Sequence, residues 1–539
     1  MTITQRMNIY DNGDDVYKAF IMYSGVNLIG GFYGDEISSE IGADGGRVLS
    51  GENTWELANE TILDGSSANS YHVVWFGSNG YKNINYNVLS GISIPKELDE
   101  RTILDGFTIT GGFANIDSKI ENTTNAKKKF MHLIGGGAAI GGNGEIQNCI
   151  VSNNKAKFGG GGMALFDGAI AKNCWINNNE TVGANLKFSG VLGYGTKDFW
   201  RADGAGIIAL GYNNEVLIEN SSISNNLCKA NDNYPNEPST TNNKTNNGGG
   251  VFLSKATLLN CKVFDNEIVK NPSSYAGGSK ASCGGAVYVY SKGIIDNCEI
   301  YDNGFVNNDY QNGAGIYMAD YESLASNQRD LLIKNSFIHS NREGVAIGID
   351  SRFSSVENSV IANNSGVGLH GYSNCKNNLT VNCVIYNNAG NGWSQTSNAN
   401  NSKNKIINST IVRNNGRGIS IQNDNNNHEI INCVDWANKT NSSFKNSKIS
   451  YSAFSYTPPA GTGNIQISAD NMDENGPKFI NPISNYTQNL SDWQDADWNI
   501  SDDSPLIDMG NKTSIPSINT TDIANNDRIM GCNVDIWCV

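Results

Sequence analysis

The stretch IQNCIVSNN (146–154) returns as AKNCWINNN (171–179), IENSSISNN (218–226), LLNCKVFDN (258–266) and IDNCEIYDN (295–303). It continues as IKNSFIHSN (333–341), VENSVIANN (356–364), TVNCVIYNN (380–388), IINSTIVRN (406–414) and IINCVDWAN (430–438). The common phrase is apolar-x-Asn-Cys/Ser-x-apolar-x-x-Asn, its first Asn at 148, 173, 220, 260, 297, 335, 358, 382, 408 and 432. Successive copies lie 23–26 residues apart in the plain repeats and up to 47 apart where a segment is inserted. Such a period is in the range of β-solenoid coils. A β-propeller blade needs about 40–45 residues with its own signature, and the short repeats between 335 and 432 argue against it.

Ahead of most copies stands a Gly-rich turn and a short alternating strand. Examples are GGGMAL (160–165), GAGIIAL (204–210), GGGVFL (248–253), GGAVYV (284–289), GAGIYM (313–318), GVAIGI (344–349), GVGLHG (366–371) and GRGISI (416–421). Alternation makes one side of each strand apolar, and Gly and Asn supply the left-handed backbone that tight corners need. Each period therefore holds about three short strands. Coiling stacks them at about 4.8 Å per rung, and the crossover preference makes the coil right-handed. Equivalent residues then lie above one another, so an inward Asn forms a ladder of amide hydrogen bonds along the axis. The expected fold is all-β: a right-handed parallel β-helix of about 12 to 14 rungs.

Composition agrees. The chain has 539 residues, 59 Gly, 82 Asn and only 10 Pro, with 38% hydrophobic and 17% charged residues. Gly and Asn are poor helix formers, so a helical protein is excluded. The 22 Tyr, 18 Phe and 9 Trp are too many for a chain that buries nothing. No apolar run approaches a membrane span. A formal net charge of -15 and a pI near 4.8 argue against nucleic acid or an anionic membrane as partner. The one basic run, Lys127-Lys128-Lys129, reads as a solvated loop. Met1-Thr2-Ile3-Thr4-Gln5-Arg6 lacks the charged and apolar regions of a signal peptide.

Six of the 11 cysteines occupy one position of the phrase: Cys149, Cys174, Cys261, Cys298, Cys383 and Cys433. Free Cys behaves as a small buried hydrophobe, so a stacked core column is expected rather than a disulfide framework. CxxC zinc spacing is absent. The histidines His72, His132, His339 and His428 share no spacing, so no metal is expected. Asp470, Asp473 and Glu474 offer calcium-type donors without EF-hand spacing.

With these motifs in view, the chain resembles the right-handed β-helix repeat proteins of bacterial surfaces. The Gly-rich phrases followed by apolar-x-x-Asn are similar to repeats of chlamydial polymorphic outer membrane proteins. KAFIMYSGVNLIGGFYGDE (18–36), TILDG (61–65) and LDGFTITGG (104–112) resemble the opening of a larger bacterial family of this fold. SPLIDMGN (504–511) and TDIANNDRIMGCNVDI (521–536) resemble its "choice-of-anchor" C-terminal module. The family pattern closes with Asp-Ile-Gly-Ala-Tyr-Glu, whereas Asp535-Ile536 is followed here by Trp537-Cys538-Val539. The resemblance implies a secreted or surface protein whose given sequence is truncated. Enzymes share this fold, but the clustered Asp, Arg, Lys and Gly-His-Gly motifs of the pectin-degrading group are not present as a set, and His370 stands in Leu-His-Gly.

Aligning the Gly-rich strands gives an inward column of Val251, Val287, Ile316, Ile347 and Leu369. The neighbouring outward positions are Phe252, Tyr288, Tyr317, Gly348 and His370, then Ser254, Tyr290, Ala319, Asp350 and Tyr372. An exposed aromatic stripe calls for a reason, and sugar rings stack on aromatic faces. Insertions at about 180–203, 227–247, 267–282 and 304–312 add Phe188, Tyr194, Phe199, Trp200, Tyr234, Tyr275 and Tyr310. Phe252, Tyr288, Tyr290, Tyr317, Tyr372 and Trp200 are the expected ligand-binding residues. The alternative is that the insertions cover the stripe as a satellite core. A catalytic reading uses Asp350 as base with Arg352 and His370 beside it, though an outward Asp-Arg pair is usually surface electrostatics.

The expected organisation is an N-terminal cap over 1–60, a β-helix over 61–455 and a C-terminal cap over 456–539, after Pro458-Pro459. The function expected is a non-catalytic extracellular or cell-surface adhesin or glycan-binding scaffold. A polysaccharide lyase or glycoside hydrolase and a purely structural spacer are the alternatives. No cofactor is expected, and the partner is a glycan or a neighbouring cell surface.

Overall fold

A computed structural model of the chain describes residues 7–8, 18–33, 47–66, 70–77, 81–85, 90–95, 97–115, 130–188, 197–229, 243–269, 282–306, 311–319, 331–342, 344–373, 375–396, 403–422, 427–486, 493–514, 521–523 and 534–536. The chain divides into two compact units, Met1–Gly293 with Asn303–Gln311, and Ile294–Asp302 with Asn312–Val539. No helix among the described residues is long and apolar enough to cross a membrane.

The nine-residue phrase folds the same way at every copy because two of its positions adopt left-handed backbone. Its first Asn has φ between 47° and 55° from Asn148 to Asn432. Its eighth residue has φ between 50° and 58°, from Asn153 to Ala437. Asn and Asp tolerate this region best, which accounts for part of the Asn excess. The two corners bracket a three-residue strand, as in Ile150–Ser152 and Val384–Tyr386.

A plain rung of the second unit has three strands, Ile347–Asp350, Ser355–Glu357 and Val360–Ala362. They pair in parallel with Leu369–Gly371, Leu379–Val381 and Val384–Tyr386 of the next rung. Rungs of the first unit carry a fourth strand that the sequence did not predict. Met163–Phe166, Ile170–Lys172, Trp175–Asn177 and Glu180–Thr181 pair in parallel with Ile207–Leu210, Val216–Glu219, Ser222–Ser224 and Leu227–Cys228. The insertions are therefore more than loops: they begin by extending the coil. They also build a lateral sheet, in which Lys197–Asp203 pairs antiparallel with Ala184–Phe188 and parallel with Asn243–Asn247.

Inside the coil the last Asn of each phrase stacks as expected. In the first unit Asn154 Nδ2 donates to Asn179 Oδ1, Asn179 to Asn226, Asn226 to Asn266 and Asn266 to Asn303, at 2.9–3.1 Å. A parallel column explains why Cys and Ser interchange. Cys174 Sγ donates to the Lys172 carbonyl at 3.1 Å while its N–H donates to Ser221 Oγ at 3.0 Å. Ser221 Oγ in turn donates to the Glu219 carbonyl. Either side chain does this job, and the nine described cysteines are free and buried. Burial pushes the Cys174 and Cys375 thiols up to about 12, so both stay protonated.

In the second unit, residues after 456 pack on the outer side of the third sheet. Val384, Tyr386, Val412, Val434 and Trp436 meet Ile467, Phe479, Trp493, Trp498, Leu506 and Ile536 in one buried cluster. Two side-chain amides clip the segment down. Asn432 Nδ2 donates to the Asn511 carbonyl at 3.1 Å and Asn382 Nδ2 to the Thr521 carbonyl at 3.0 Å.

A buried histidine pair gives the first unit a pH dependence. His72 and His132 lie with ring centroids 5.7 Å apart, and burial lowers their pKa values to about 4 and about 3. Each is held neutral by the fold, so its contribution is complete above the unfolded value of 6.5. That contribution is lost as pH falls from 6.5 through about 4. For His72 the loss is about 3 kcal/mol. Urea unfolding at pH 7 and pH 4 reads it directly; an unchanged pH slope in His72→Asn would remove His72 from the explanation.

Candidate functional site

Strand pairing puts the Gly-rich strands in the register read from sequence. Val251 pairs with Val287 and Phe252 with Tyr288 in the first unit. Ile316 pairs with Ile347, and Ile347 with Leu369, in the second. The exposure expected of the outward column is not found. Phe252 is 1% exposed, Tyr288 4%, Tyr290 8% and Tyr317 4%. Phe252 and Tyr288 stack at 5.3 Å with planes 15° apart. In the first unit the chain returns over this side of the sheet. The backbone of Gly159 and Gly160 lies so close to Ile208, the residue paired with Phe252, that a Cβ on either would meet its side chain at 2.8–2.9 Å. The four aromatics are buried rather than open to a ligand. Trp200 falls in a strand whose side chain is outside the described residues, as are the side chains of Phe188 and Phe199. Tyr194, Tyr234, Tyr275 and Tyr310 lie outside the described residues altogether.

The second unit keeps part of a polar and aromatic group open to solvent. Gly348 lies between Tyr317 and His370 in the outward column. A Cβ there would sit 2.8 Å from Tyr317 Cδ2 and 2.9 Å from Tyr372 Cε2, so the glycine is what lets both rings lie on the strand. Their centroids are 5.6 Å apart. The Tyr317 hydroxyl donates to Asp350 Oδ2 at 3.3 Å. His370 stands edge-on to Tyr372 at 4.5 Å, and its Nδ1 is 2.6 Å from Ser394 Oγ. Tyr317, Asp350 and Ser394 are buried, Tyr372 and His370 half-buried, and Arg352 exposed.

Burial lowers the His370 pKa to about 4, so the imidazole is neutral at ordinary pH. The structure thus brings Asp350 and His370 to the two sides of the Tyr317–Tyr372 pair, with Arg352 two residues beyond Asp350. A neutral imidazole and a carboxylate beside tyrosyl rings can hydrogen-bond hydroxyls and present an aromatic face. The cation adds an attraction for acidic groups.

At the calcium-type turn, Asp470 Oδ1 accepts from the Met472 N–H and Asp473 Oδ1 from the Asn475 N–H. No group of three or more His, Cys, Asp or Glu positioned for a metal occurs among the described residues. Sequence reasoning missed Asp435, a buried carboxyl within the ninth-residue amide network. Its signal was present: IINCVDWAN puts Asp where every other copy of the phrase has Ile or Val.

Comparison with known proteins bears on the fold. Residues 278–435 match the family model described as a right handed beta helix region. No curated protein matches the chain. Among solved structures, the periplasmic alginate epimerase AlgG is similar at 14% identity, covering 58% of this chain and 77% of its own, with a TM-score of 0.29. The Azotobacter vinelandii mannuronan C-5 epimerase AlgE6 A-module is similar at 12% identity over 68% of this chain and 91% of its own, with a TM-score of 0.32. Likenesses this distant say nothing of activity. The parallel rungs of both units, together with the matched region, make this chain a right-handed parallel β-helix protein.

Proposed function

We propose that this chain is an extracellular or cell-surface scaffold that contacts glycans through the outer side of the Gly-rich strands in its second unit. Tyr372 and His370 supply the contact face and Arg352 its charged margin. Tyr317 and Asp350 act from behind as packing and hydrogen-bonding support. One observation carries the proposal: Gly348 is bare so that two tyrosine rings can lie on the strand, and of this group the rings of Tyr372 and His370 stay partly open to solvent. A half-buried aromatic with polar neighbours suits sugar stacking. The acidic chain, at -15, disfavours nucleic acid as the partner.

Retention on immobilised polysaccharides tests it. Tyr372→Ala and His370→Ala are expected to lower retention about tenfold or more with thermal unfolding nearly unchanged. Full retention in both variants would overturn the assignment of this face. A second reading, a lyase or hydrolase, draws on the neutral His370 imidazole beside Tyr372 and on Asp350 at the Tyr317 hydroxyl. Released sugar products that vanish in Asp350→Asn would favour it. A protein that retains no glycan at all would instead behave as a spacer.

A further inference from the structure

We propose that Asp435 is the stop residue of the second unit's coil: it terminates the inward amide ladder and, through Tyr456, holds the chain where it leaves the last rungs. The ladder has a direction. Asn341 Nδ2 donates to Asn364 Oδ1, Asn364 to Asn388, Asn388 to Asn414 and Asn414 to Asn438, each at 2.9–3.1 Å. Each Nδ2 also donates back to a carbonyl of the preceding rung. Along the ladder, however, every Oδ1 accepts from the N-terminal side and one N–H of every amide points toward the C-terminal rung. Aligned amide dipoles add, as along an α-helix, and their positive end favours an anion. The last amide, Asn438, also has a second N–H to place, its first going to the Ile411 carbonyl at 2.8 Å. Asp435 meets both needs: Oδ1 accepts from Asn438 Nδ2 at 2.8 Å, and Oδ2 accepts from the Tyr456 hydroxyl at 2.6 Å.

The position of Asp435 makes an incidental polar residue a poor explanation. Ile338, Ile361, Ile385 and Ile411 precede it in the same inward column, and Phe454 follows. Asp435 is 1% exposed. Burial pushes its carboxyl above the usual range, against hydrogen bonds from Ser442, Tyr456 and Asn438. The surrounding chain is fitted to it. A Cβ on Gly418 would collide with Asp435 Oδ1, so that position has to be bare. The Ser442 N–H also donates to the Tyr456 hydroxyl oxygen at 3.3 Å, tying the loop before the final strands into the same group.

An apolar residue of matched volume in place of a buried charge is often neutral or stabilising, and this makes the proposal sharp. Amide hydrogen exchange would be followed by mass spectrometry in the full chain and in Asp435→Ile, Asp435→Asn and Tyr456→Phe. Asp435→Ile restores the column yet removes the Tyr456 acceptor and one of the two Asn438 acceptors, leaving Asn438 only the Ile411 carbonyl. Amides of 442–456 are expected to exchange about tenfold faster or more, with those of 347–364 unchanged. Asp435→Asn should move them in the same direction by less, and Tyr456→Phe should add little on top of it. Exchange in Asp435→Ile as slow as in the native protein would overturn the proposal, as would acceleration spread evenly over the unit. If that variant does not fold, native exchange at 442–456 in both milder variants would overturn it equally.

Discussion

Asn388→Ala is expected to lower the stability of the second unit by about 3–5 kcal/mol. Asn388 is 0% exposed and works in both directions along the axis. Its Oδ1 accepts from the Asn364 backbone N–H and Asn364 Nδ2, at 3.1 and 2.9 Å. Its Nδ2 donates toward the Ile361 and Tyr386 carbonyls and Asn414 Oδ1. Truncation thus leaves several buried groups unpartnered where water does not reach them. A suitable control is Cys383→Ser, expected to change stability by less than about 1 kcal/mol. Its neighbours in the column are Ser359 and Ser409, whose hydroxyls donate to the carbonyl two residues back just as Cys383 does. Urea unfolding separates the two variants. Similar losses in both would mean that rung volume, rather than amide pairing, holds the coil.

The second large effect is expected at the C-terminal segment. Trp493 is 0% exposed and packs against Phe337, His339 and Tyr386 on the outer side of the third sheet. Trp493→Ala should remove about 3–5 kcal/mol and open residues after 456 to proteolysis before the rungs unfold. Loss of less than about 1 kcal/mol, with an unaltered digestion pattern, would show that the segment is held by the Asn382 and Asn432 clips instead.

The rungs were legible because the phrase states its own geometry: two left-handed corners, an inward apolar residue, a Cys/Ser and a ladder Asn all recur at fixed offsets. The register of Val251 on Val287 and of Ile347 on Leu369 followed from aligning the Gly turns. Burial on the outside was not legible in the same way. Alternation says that Phe252 and Tyr288 point outward, but whether that side is covered is not encoded in local spacing, and both are buried. A usable signal did exist at the third sheet. Its outward positions mix Trp175 and Phe264 with Ser222, Ser224 and Lys262 in the first unit. In the second, Val384, Tyr386, Val412, Val434 and Trp436 leave only Thr410 polar over three successive rungs. That change to apolar side chains marks where a covering segment docks. Gly348 is a subtler case, since its bareness acquires meaning only once the Tyr317 and Tyr372 rings are placed over it.

The glycan proposal is tested most directly by passing the purified native chain over a panel of neutral and acidic polysaccharides, recording retention and soluble products together. Retention on at least one member without new reducing or unsaturated ends, reduced about tenfold in Tyr372→Ala, is the predicted result. Retention equal in native protein and Tyr372→Ala would contradict the site, and product release lost in Asp350→Asn would contradict the non-catalytic assignment.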